Sequence, residues 1–157
     1  MPAPPDTAAL RVRRARPADL DGLVALELAS FASDRLSRAQ YRRHLRSASA
    51  RLLVAVAGRQ PLLGAALVFF RKGSRMARLY SIASRPDARG LGVGARLLAA
   101  AEAQARHRGC LAMRLEVRAD NPAAIRLYER QGYRRLGRLD GFYEDGTDGW
   151  RYEKALA

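Results

Sequence analysis

The sequence predicts an α/β protein in which helices cover a mixed β-sheet, and three observations support this fold class. Short apolar runs of strand length alternate with longer segments whose apolar residues recur at helical spacing. The turn Arg89-Gly90-Leu91-Gly92-Val93-Gly94-Ala95 joins one of these runs to an alanine- and leucine-rich helix. A further strand follows that helix, and a strand-helix-strand unit of this length forms a right-handed crossover between parallel strands.

The first elements of the chain are a strand and two helices. Residues 10–15 alternate between apolar and basic side chains, which predicts a strand with one wet face. Pro17 suits the first turn of a helix, which we expect to end before Phe31. Ser37 can cap a second helix that continues to Ser47. The apolar stripe of the first helix is predicted to consist of Leu20, Leu23, Val24 and Leu28.

The middle of the chain predicts a hairpin and then the crossover. Residues 51–57 and 61–70 are two apolar strands that form the antiparallel hairpin. A strand at residues 76–84 leads into the glycine turn, a helix follows at residues 92–107, and the crossover returns to a strand at residues 111–117. The apolar face of this returning strand is predicted to consist of Leu111, Met113, Leu115 and Val117.

The last elements are a helix and two strands. Asn121 caps the helix, which ends before Gly132. Asn121 and Tyr128 lie on one stripe of this helix, so both can face the same cleft. Strands at residues 133–139 and 149–156 complete the predicted order β-α-α-β-β-β-α-β-α-β-β.

The length and composition predict one domain. We expect a flexible N-terminal tail at residues 1–9, which is rich in proline and lacks the apolar core of a signal peptide, and a single domain at residues 10–157. No apolar run approaches the ~20 residues that span a bilayer. The single Cys110 offers no intramolecular disulfide, and we expect a small buried hydrophobe there and not a nucleophile. These features predict a cytoplasmic protein with no membrane partner.

The net charge of +14, from 29 Lys and Arg against 15 Asp and Glu, predicts attraction to polyanions. Nucleic acid, a ribosome, an acidic protein and a phosphate-rich cofactor all fit this charge. The basic residues are scattered and lack regularly interleaved aromatic residues, which argues against a stacking platform for single-stranded nucleic acid. A generally arginine-rich composition is the alternative to a dedicated nucleic-acid face.

The glycine turn is the first candidate binding site. Glycine lets a ligand approach the backbone closely, and the free amides at the start of a helix favour phosphate or another anion. A tight turn without a ligand is the alternative.

Two motifs resemble one family. The pattern Arg89-x-x-Gly92-x-Gly94, preceded by Ile82-Ala83-Ser84-Arg85-Pro86, resembles the acetyl-CoA-binding motif of the GCN5-related N-acetyltransferases (GNAT). Residues 115–133 resemble the RimI-type ribosomal-protein N-terminal acetyltransferases, in which a Leu-Glu-Val-Arg strand leads to an Asn-x-Ala-Ala-Ile-x-Leu-Tyr helix. The match covers about residues 76–145, whereas the N-terminal half agrees only in the order of its elements.

The resemblance implies a GNAT fold in which the parallel strands at residues 76–84 and 111–117 splay apart. It also implies acetyl-CoA as cosubstrate, with no metal, and main-chain contacts to the pantetheine and pyrophosphate. The cofactor-binding residues implied in this way are Ile82, Ala83, Ser84, Arg89, Gly90, Leu91, Gly92, Val93, Gly94, Ala95 and Asn121.

The resemblance further implies direct attack of an amine on the thioester, with Glu116 as general base, directly or through water, and Tyr128 as general acid. The alternatives are a surface carboxylate paired with Arg114 or Arg118, and a tyrosine packed in the core. On the acceptor side, Tyr143 and the loop that begins at Phe31 would line the site.

We expect the acceptor to be the N-terminal α-amine of a protein. An α-amine has a pKa near 7.7–8.0 and a lysine near 10.4, a gap of about 2.5 units or roughly 3.4 kcal/mol in forming the neutral nucleophile. A small amine such as a polyamine or an antibiotic, or a lysine, is the alternative acceptor, and a non-catalytic module that binds RNA or the ribosome is the alternative class. Association with a ribosome and a monomer or homodimer are both compatible with the sequence.

Overall fold

The structure is a computed structural model, and it describes residues 3–157. Within these residues a seven-stranded sheet is accompanied by four α-helices. The strands are β1 (Arg11–Arg14), β2 (Ala50–Val56), β3 (Gly64–Phe69), β4 (Met76–Ser84), β5 (Ala112–Arg118), β6 (Arg134–Leu139) and β7 (Gly149–Ala155). The helices are α1 (Leu20–Ser30), α2 (Arg38–Arg46), α3 (Val93–His107) and α4 (Pro122–Arg130). The predicted α/β class and element order are confirmed.

The sheet is mixed, with strand order β1-β2-β3-β4-β5-β7-β6. β4 and β5 run parallel because α3 crosses between them, while the other neighbouring strands pair in antiparallel fashion. The last strand, β7, inserts between β5 and β6. This insertion brings the end of the chain next to the strand that carries Glu116.

The parallel pair separates partway along its length, as predicted. Pairing between β4 and β5 starts at Met76 and Ala112 and stops at Leu79 and Leu115. β4 then continues to Ser84 with its partners on β3 alone, and β5 continues to Arg118 with its partners on β7. A register shift between β3 and β4 lies at the same level of the sheet. The two strands therefore leave an opening between the faces of the sheet.

Two apolar cores lie on the two faces of the sheet. Buried side chains of α3 meet Leu79, Met113 and Leu115 on one face, which we call the α3 face. Buried side chains of α1 and α2, including Leu23 and Tyr41, cover β2 and β3 on the opposite face, which we call the α1 face.

The structure corrects two predicted core positions. Leu28 is 57% exposed, and the buried residues of α1 are Leu23, Leu26 and Glu27. The helix is apolar on nearly all sides, so spacing alone did not identify its inner stripe. Leu111 is 49% exposed because it precedes β5, whose alternation begins only at Ala112.

Other local predictions are confirmed. Ser37 accepts a hydrogen bond from the Gln40 amide, and the Gln40 side chain accepts one from the Ser37 amide, which completes a capping box at the start of α2. Cys110 is buried, and burial raises the pKa of its thiol. Of the predicted tail at residues 1–9, Met1 and Pro2 lie outside the described residues, and the remainder forms no helix or strand. Its flexibility stays a prediction.

None of the helices described is both long and apolar enough to cross a bilayer.

Candidate active site

The glycine turn leaves an open cradle before α3. Gly90 has a φ of +81° and Gly92 a φ of +83°, a left-handed backbone that favours glycine. A Cβ atom at either position would meet no atom within 4 Å among residues 3–157. The space beside the backbone is therefore free for a ligand.

The first turn of α3 presents unpaired amides to this cradle. No carbonyl or side chain in the described part of the chain accepts a hydrogen bond from the amides of Val93, Gly94 and Ala95. These amides and the positive end of the helix dipole suit a phosphate group. The Val93 side chain is fully buried, so Val93 can contact a ligand only through its backbone.

Gly94 has a second structural role. A Cβ atom there would lie 3.2 Å from Leu127 Cδ2, so glycine allows α3 to approach α4 closely. Leu91 packs partly against the core of the α3 face, while Arg89 is exposed beside the cradle.

The edge of β4 that faces the opening carries the three residues that were predicted to bind a cofactor through their main chain. Ile82, Ala83 and Ser84 pair with Ala66, Ala65 and Gly64 of β3, respectively. On the side of β5 these residues have no strand partner, because the parallel pairing stopped at Leu79. Backbone groups on that side are thus available to an extended ligand such as a pantetheine arm.

The start and the middle of α4 complete the α3 face of the site. The Asn121 side chain caps α4 by accepting a hydrogen bond from the Ala124 amide at 3.1 Å. Tyr128 is 5% exposed and packs edge-on against Tyr133, with 5.8 Å between the ring centroids. Burial raises the pKa of Tyr128 well above its ordinary value, so its hydroxyl remains protonated at neutral pH. Its hydroxyl donates to no side chain or carbonyl within residues 3–157.

Glu116 lies on the opposite, α1 face of β5. Its side chain is only 9% exposed, and its Oε1 forms ion pairs with Arg78 Nη2 at 3.0 Å and with Arg151 Nη2 at 3.8 Å. The other oxygen, Oε2, is buried and has no hydrogen-bond partner among the described residues. A buried acceptor without a partner is costly, by about 1–3 kcal/mol, and marks a position where an incoming donor would be favourable.

The alternative that made Glu116 a surface carboxylate paired with Arg114 or Arg118 is wrong. Arg114 Nη2 instead binds Glu153 Oε1 at 2.7 Å. Arg118 binds aspartates in the loops. Tyr128, in contrast, does pack in the core, which was the alternative to its role as general acid. It nevertheless lies on the same side of α4 as Asn121.

Tyr143 lies in the β6–β7 loop, close to the start of β7. Burial raises its pKa to about 12, and the negative charge of Glu116 contributes in the same direction. A Cβ atom at Gly149 would lie 3.2 Å from Tyr143 Cε2, which places the Tyr143 ring against the end of β7 that pairs with β5. Its ring packs edge-on against the exposed Phe142, with centroids 5.0 Å apart.

Arg118 was not predicted as a site residue, yet it holds the α1–α2 loop and the β6–β7 loop together. Its guanidinium binds Asp145 at 2.5 Å and Thr147 Oγ1 at 2.9 Å in the β6–β7 loop, and it donates to Ser33 Oγ at 3.3 Å in the α1–α2 loop. It also lies 4.9 Å above the Tyr143 ring. Its hydrogen bonds are the main cause that lowers the pKa of Asp145 to about 2.

The α1–α2 loop reaches the β6–β7 loop through Asp34. This residue adopts a φ of +55°, and its carboxylate accepts from the Glu144 amide at 3.3 Å. Phe31, predicted to face the acceptor, is half-buried at the end of α1 and packs against the core of the α1 face. The loop contacts to Arg118 and Glu144 come from Ser33 and Asp34, and the role of Phe31 toward an acceptor stays a prediction.

Glu27 fixes the other end of the α1–α2 loop. This buried carboxylate accepts from the Leu36 amide at 2.9 Å and from the Tyr41 hydroxyl. Sequence spacing gave no sign of it, because an acidic residue inside an apolar helix is normally exposed. The shape of the loop therefore depends on contacts from α1, α2, β5 and the β6–β7 loop.

Known proteins resemble this chain in sequence and in fold. The profile of the acetyltransferase (GNAT) family matches residues 20–133. N-alpha-acetyltransferase 30 of Schizosaccharomyces pombe is 41% identical over 64 residues, which cover 41% of this chain and 43% of that protein. The match thus spans less than half the length of this curated relative.

Two solved structures are similar over nearly the whole chain. Ard1 from Thermoplasma volcanium gives a TM-score of 0.84 at 27% identity, covering 96% of this chain and 99% of that one. The ribosomal-protein-S18-alanine N-acetyltransferase from Escherichia coli gives a TM-score of 0.82 at 23% identity, covering 94% of each chain. This second likeness is one of fold.

Proposed function

The chain belongs to the acetyltransferase (GNAT) family, and on that premise we propose that it transfers an acetyl group from acetyl-CoA to the N-terminal α-amine of a protein. The observation that carries the proposal is the opening between β4 and β5, with a free carboxylate oxygen on one face and a protonated tyrosine on the other. Such an opening lets an acceptor approach from one face and a cofactor from the other.

The residues of the α3 face fit acetyl-CoA. The cradle at Gly90 and Gly92 and the free amides of the first turn of α3 would hold the pyrophosphate, and exposed Arg89 adds positive charge. Residues 82–84 of β4 would bond the pantetheine through their backbone, and Asn121 would contact it beyond the opening. When bound there, acetyl-CoA supplies the acetyl group as an activated thioester.

Two side chains of this protein would handle the protons. Glu116 Oε2, buried and without a partner, would accept a hydrogen bond and then a proton from the incoming amine, directly or through a water molecule. The Tyr128 hydroxyl, kept protonated by burial, would donate its proton to the departing sulfur. A backbone amide of β4 that faces the opening would stabilise negative charge on the carbonyl oxygen, an effect worth about 10²- to 10³-fold in rate.

The acceptor class follows from two further arguments. An α-amine loses its proton more readily than a lysine, so one carboxylate suffices to activate it. The similarity to N-alpha-acetyltransferase 30 supports the same class of acceptor. Phe31 and Tyr143 would line the acceptor side of the opening.

Mass spectrometry with acetyl-CoA tests the proposal. Peptides that begin with Ala, Ser or Met and have a free α-amine should gain one acetyl group at the N-terminus, whereas the same peptides with a blocked N-terminus and an internal lysine should not. Spermidine or an antibiotic amine acetylated in place of the peptides would favour the small-molecule alternative. Binding of RNA with a steep salt dependence, and no acetylation of any amine, would favour the non-catalytic alternative.

A matched pair of variants tests the role of Glu116. Glu116→Gln should lower the maximal rate about 10²-fold or more, because an amide cannot accept the proton. Glu153→Gln removes a carboxylate from the same face that is paired with Arg114, and it should leave the rate within about twofold. Equal rates for Glu116→Gln and the unchanged protein would remove Glu116 from the role of base.

A further inference from the structure

Two arginines bracket Glu116 on the strands at either side of it. Arg151 of β7 stands directly opposite Glu116 in the antiparallel register with β5. Arg78 lies on β4, the other neighbour of β5, and contacts Glu116 near the point where the pairing of β4 with β5 ends. Both guanidiniums approach the same oxygen, Oε1.

The arginines outnumber the carboxylate that they contact. Arg78 is 46% exposed and Arg151 is 37% exposed at the side chain, so each has N–H groups that face solvent. Arg151 Nε is itself buried without a hydrogen-bond partner within residues 3–157. The neighbouring Arg114, in contrast, is matched by Glu153. At Glu116 Oε1, two guanidiniums therefore share one carboxylate oxygen.

This pair of arginines has a consequence for any amine that approaches Glu116. A positively charged ammonium group would enter beside two guanidiniums, and the repulsion disfavours it unless the acceptor also brings a negative charge. An arginine binds a carboxylate with two parallel hydrogen bonds, so the free N–H groups of Arg78 and Arg151 suit a carboxylate well.

The distances fit a short peptide segment. Neighbouring strands lie about 4.7–4.9 Å apart, and an extended peptide advances about 3.3 Å per residue. With the α-amine at Glu116, a side chain on the second or third residue of the acceptor can reach a guanidinium on β4 or β7. α1 and α2 pack against β2, β3 and β4, which leaves the arginine side chains of β5 and β7 on this face partly exposed.

We propose that the preferred acceptors are protein N-termini with aspartate or glutamate at the second or third residue, and that Arg78 and Arg151 bind this carboxylate. The inference rests on the proposed acetylation of α-amines and names the acceptors within that class. Arg78 and Arg151 are then residues that determine specificity, while Glu116 activates the amine.

Matched peptides test the proposal on the full chain. Three peptides begin with Ser, continue with Asp-Asp, Asn-Asn or Lys-Lys, and are otherwise identical. We expect kcat/KM for the Asp-Asp peptide to exceed that for the Asn-Asn peptide by about tenfold or more, with the Lys-Lys peptide slowest. Binding of a fluorescent Asp-Asp peptide to the protein loaded with CoA should weaken as salt is raised.

Variants locate the preference. Arg78→Gln and Arg151→Gln should each raise KM for the Asp-Asp peptide, and the double variant should acetylate the Asp-Asp and Asn-Asn peptides with nearly equal kcat/KM. Arg114→Gln, which removes an arginine of the same face that is matched by Glu153, should retain the preference. Thermal unfolding and CoA binding of each variant report whether it is folded.

The outcomes separate the inference from the function on which it rests. Equal kcat/KM for the Asp-Asp and Asn-Asn peptides with the unchanged protein overturns the inference and leaves the acetyltransferase function intact. A preference that survives in the folded double variant also overturns it. Acetylation of no peptide contradicts the proposed function and the inference together.

Discussion

The α3 face and the α1 face of the sheet build their parts of the site in different ways. On the α3 face, the cradle consists of backbone amides and glycines from one continuous turn, followed by Asn121 and Tyr128 on one helix. On the α1 face, charged side chains from β4, β5, β7 and two loops meet around Glu116 and Arg118. One part is built from main chain that is local in sequence, and the other from side chains that are distant in sequence.

Because of this difference, the two parts of the site should respond differently to substitutions. A backbone cradle accepts many side chains except where glycine is required by its φ or by the space for the ligand. In a network of charged side chains, the loss of one charge alters the positions of the others, because it leaves a partner with an unpaired charge. Substitutions should therefore affect cofactor binding at few positions of the α3 face and acceptor recognition at many positions of the α1 face.

The largest effect is expected at the cradle. Gly92→Glu should weaken CoA binding by about 10³-fold, since it fills the cradle, adds a negative charge beside the pyrophosphate and strains a residue with a φ of +83°. Isothermal titration calorimetry with CoA measures the change. Gly73→Glu is the matched control, because Gly73 has a φ of +81° and open space around it but lies in the turn before the other end of β4. Equal loss of binding in both variants would mean that strain, and not the cradle, is responsible.

The next effect is expected at Tyr128. Tyr128→Phe should lower the maximal rate by about 10²-fold with little change in CoA affinity, because only the proton donor is lost. Steady-state kinetics and CoA calorimetry measure the two quantities. Tyr133→Phe, beside it, should retain the rate and lower the thermal stability, since it leaves Glu102 without the hydrogen bond of 2.9 Å from Tyr133. An unaltered rate in Tyr128→Phe would exclude Tyr128 as the acid.

A smaller effect is expected at Arg118. Arg118→Lys keeps the charge but cannot bind Asp145, Thr147 and Ser33 at once, so the two loops should hold the acceptor less well. We expect the KM for the acceptor peptide to rise about tenfold, roughly 1.4 kcal/mol, with CoA affinity unchanged. Arg114→Lys, whose ion pair among the described residues is with Glu153, should leave KM unaltered. A fall in CoA affinity in Arg118→Lys would contradict the separation of the two faces.

The smallest difference between the faces is expected in their response to alkaline pH. Burial raises the pKa of Tyr128 and Tyr133 on the α3 face, and of Tyr41 and Tyr143 on the α1 face. A tyrosine whose folded pKa lies above the unfolded value near 10 contributes stability that is complete below pH 10 and is lost as the pH rises through the folded value. The free energy of unfolding should thus be steady between pH 7 and 9 and fall above pH 10.

Chemical denaturation at several pH values measures this dependence. The slope above pH 10 should approach about 1.4 kcal/mol per pH unit for each tyrosine that titrates. Tyr133→Phe and Tyr41→Phe should each make the slope shallower by a similar amount. A slope that changes in only one of these variants would show that folding raises the tyrosine pKa in one core and not in the other.

Local sequence determined most of the fold and the α3 face of the site. The glycines of the turn at residues 90–94, the capping Asn121 and the stripe that leads to Tyr128 act over distances of a few residues, so their geometry follows from backbone preferences. The alternation of Met113, Leu115 and Val117 likewise placed Glu116 on the opposite face of β5. The exceptions, Leu28 and Leu111, lie in an apolar helix without a distinct stripe and just before the start of a strand.

The tertiary structure alone decided the surroundings of Glu116. Insertion of β7 between β5 and β6 brings Arg151 opposite Glu116, and the separation of β4 from β5 lets Arg78 reach the same oxygen. Arg118 meets Asp145 and Ser33 only because the chain folds two distant loops together. Charges attract at any separation along the chain, so the sequence provides the arginines, while the strand order determines which carboxylate each one binds.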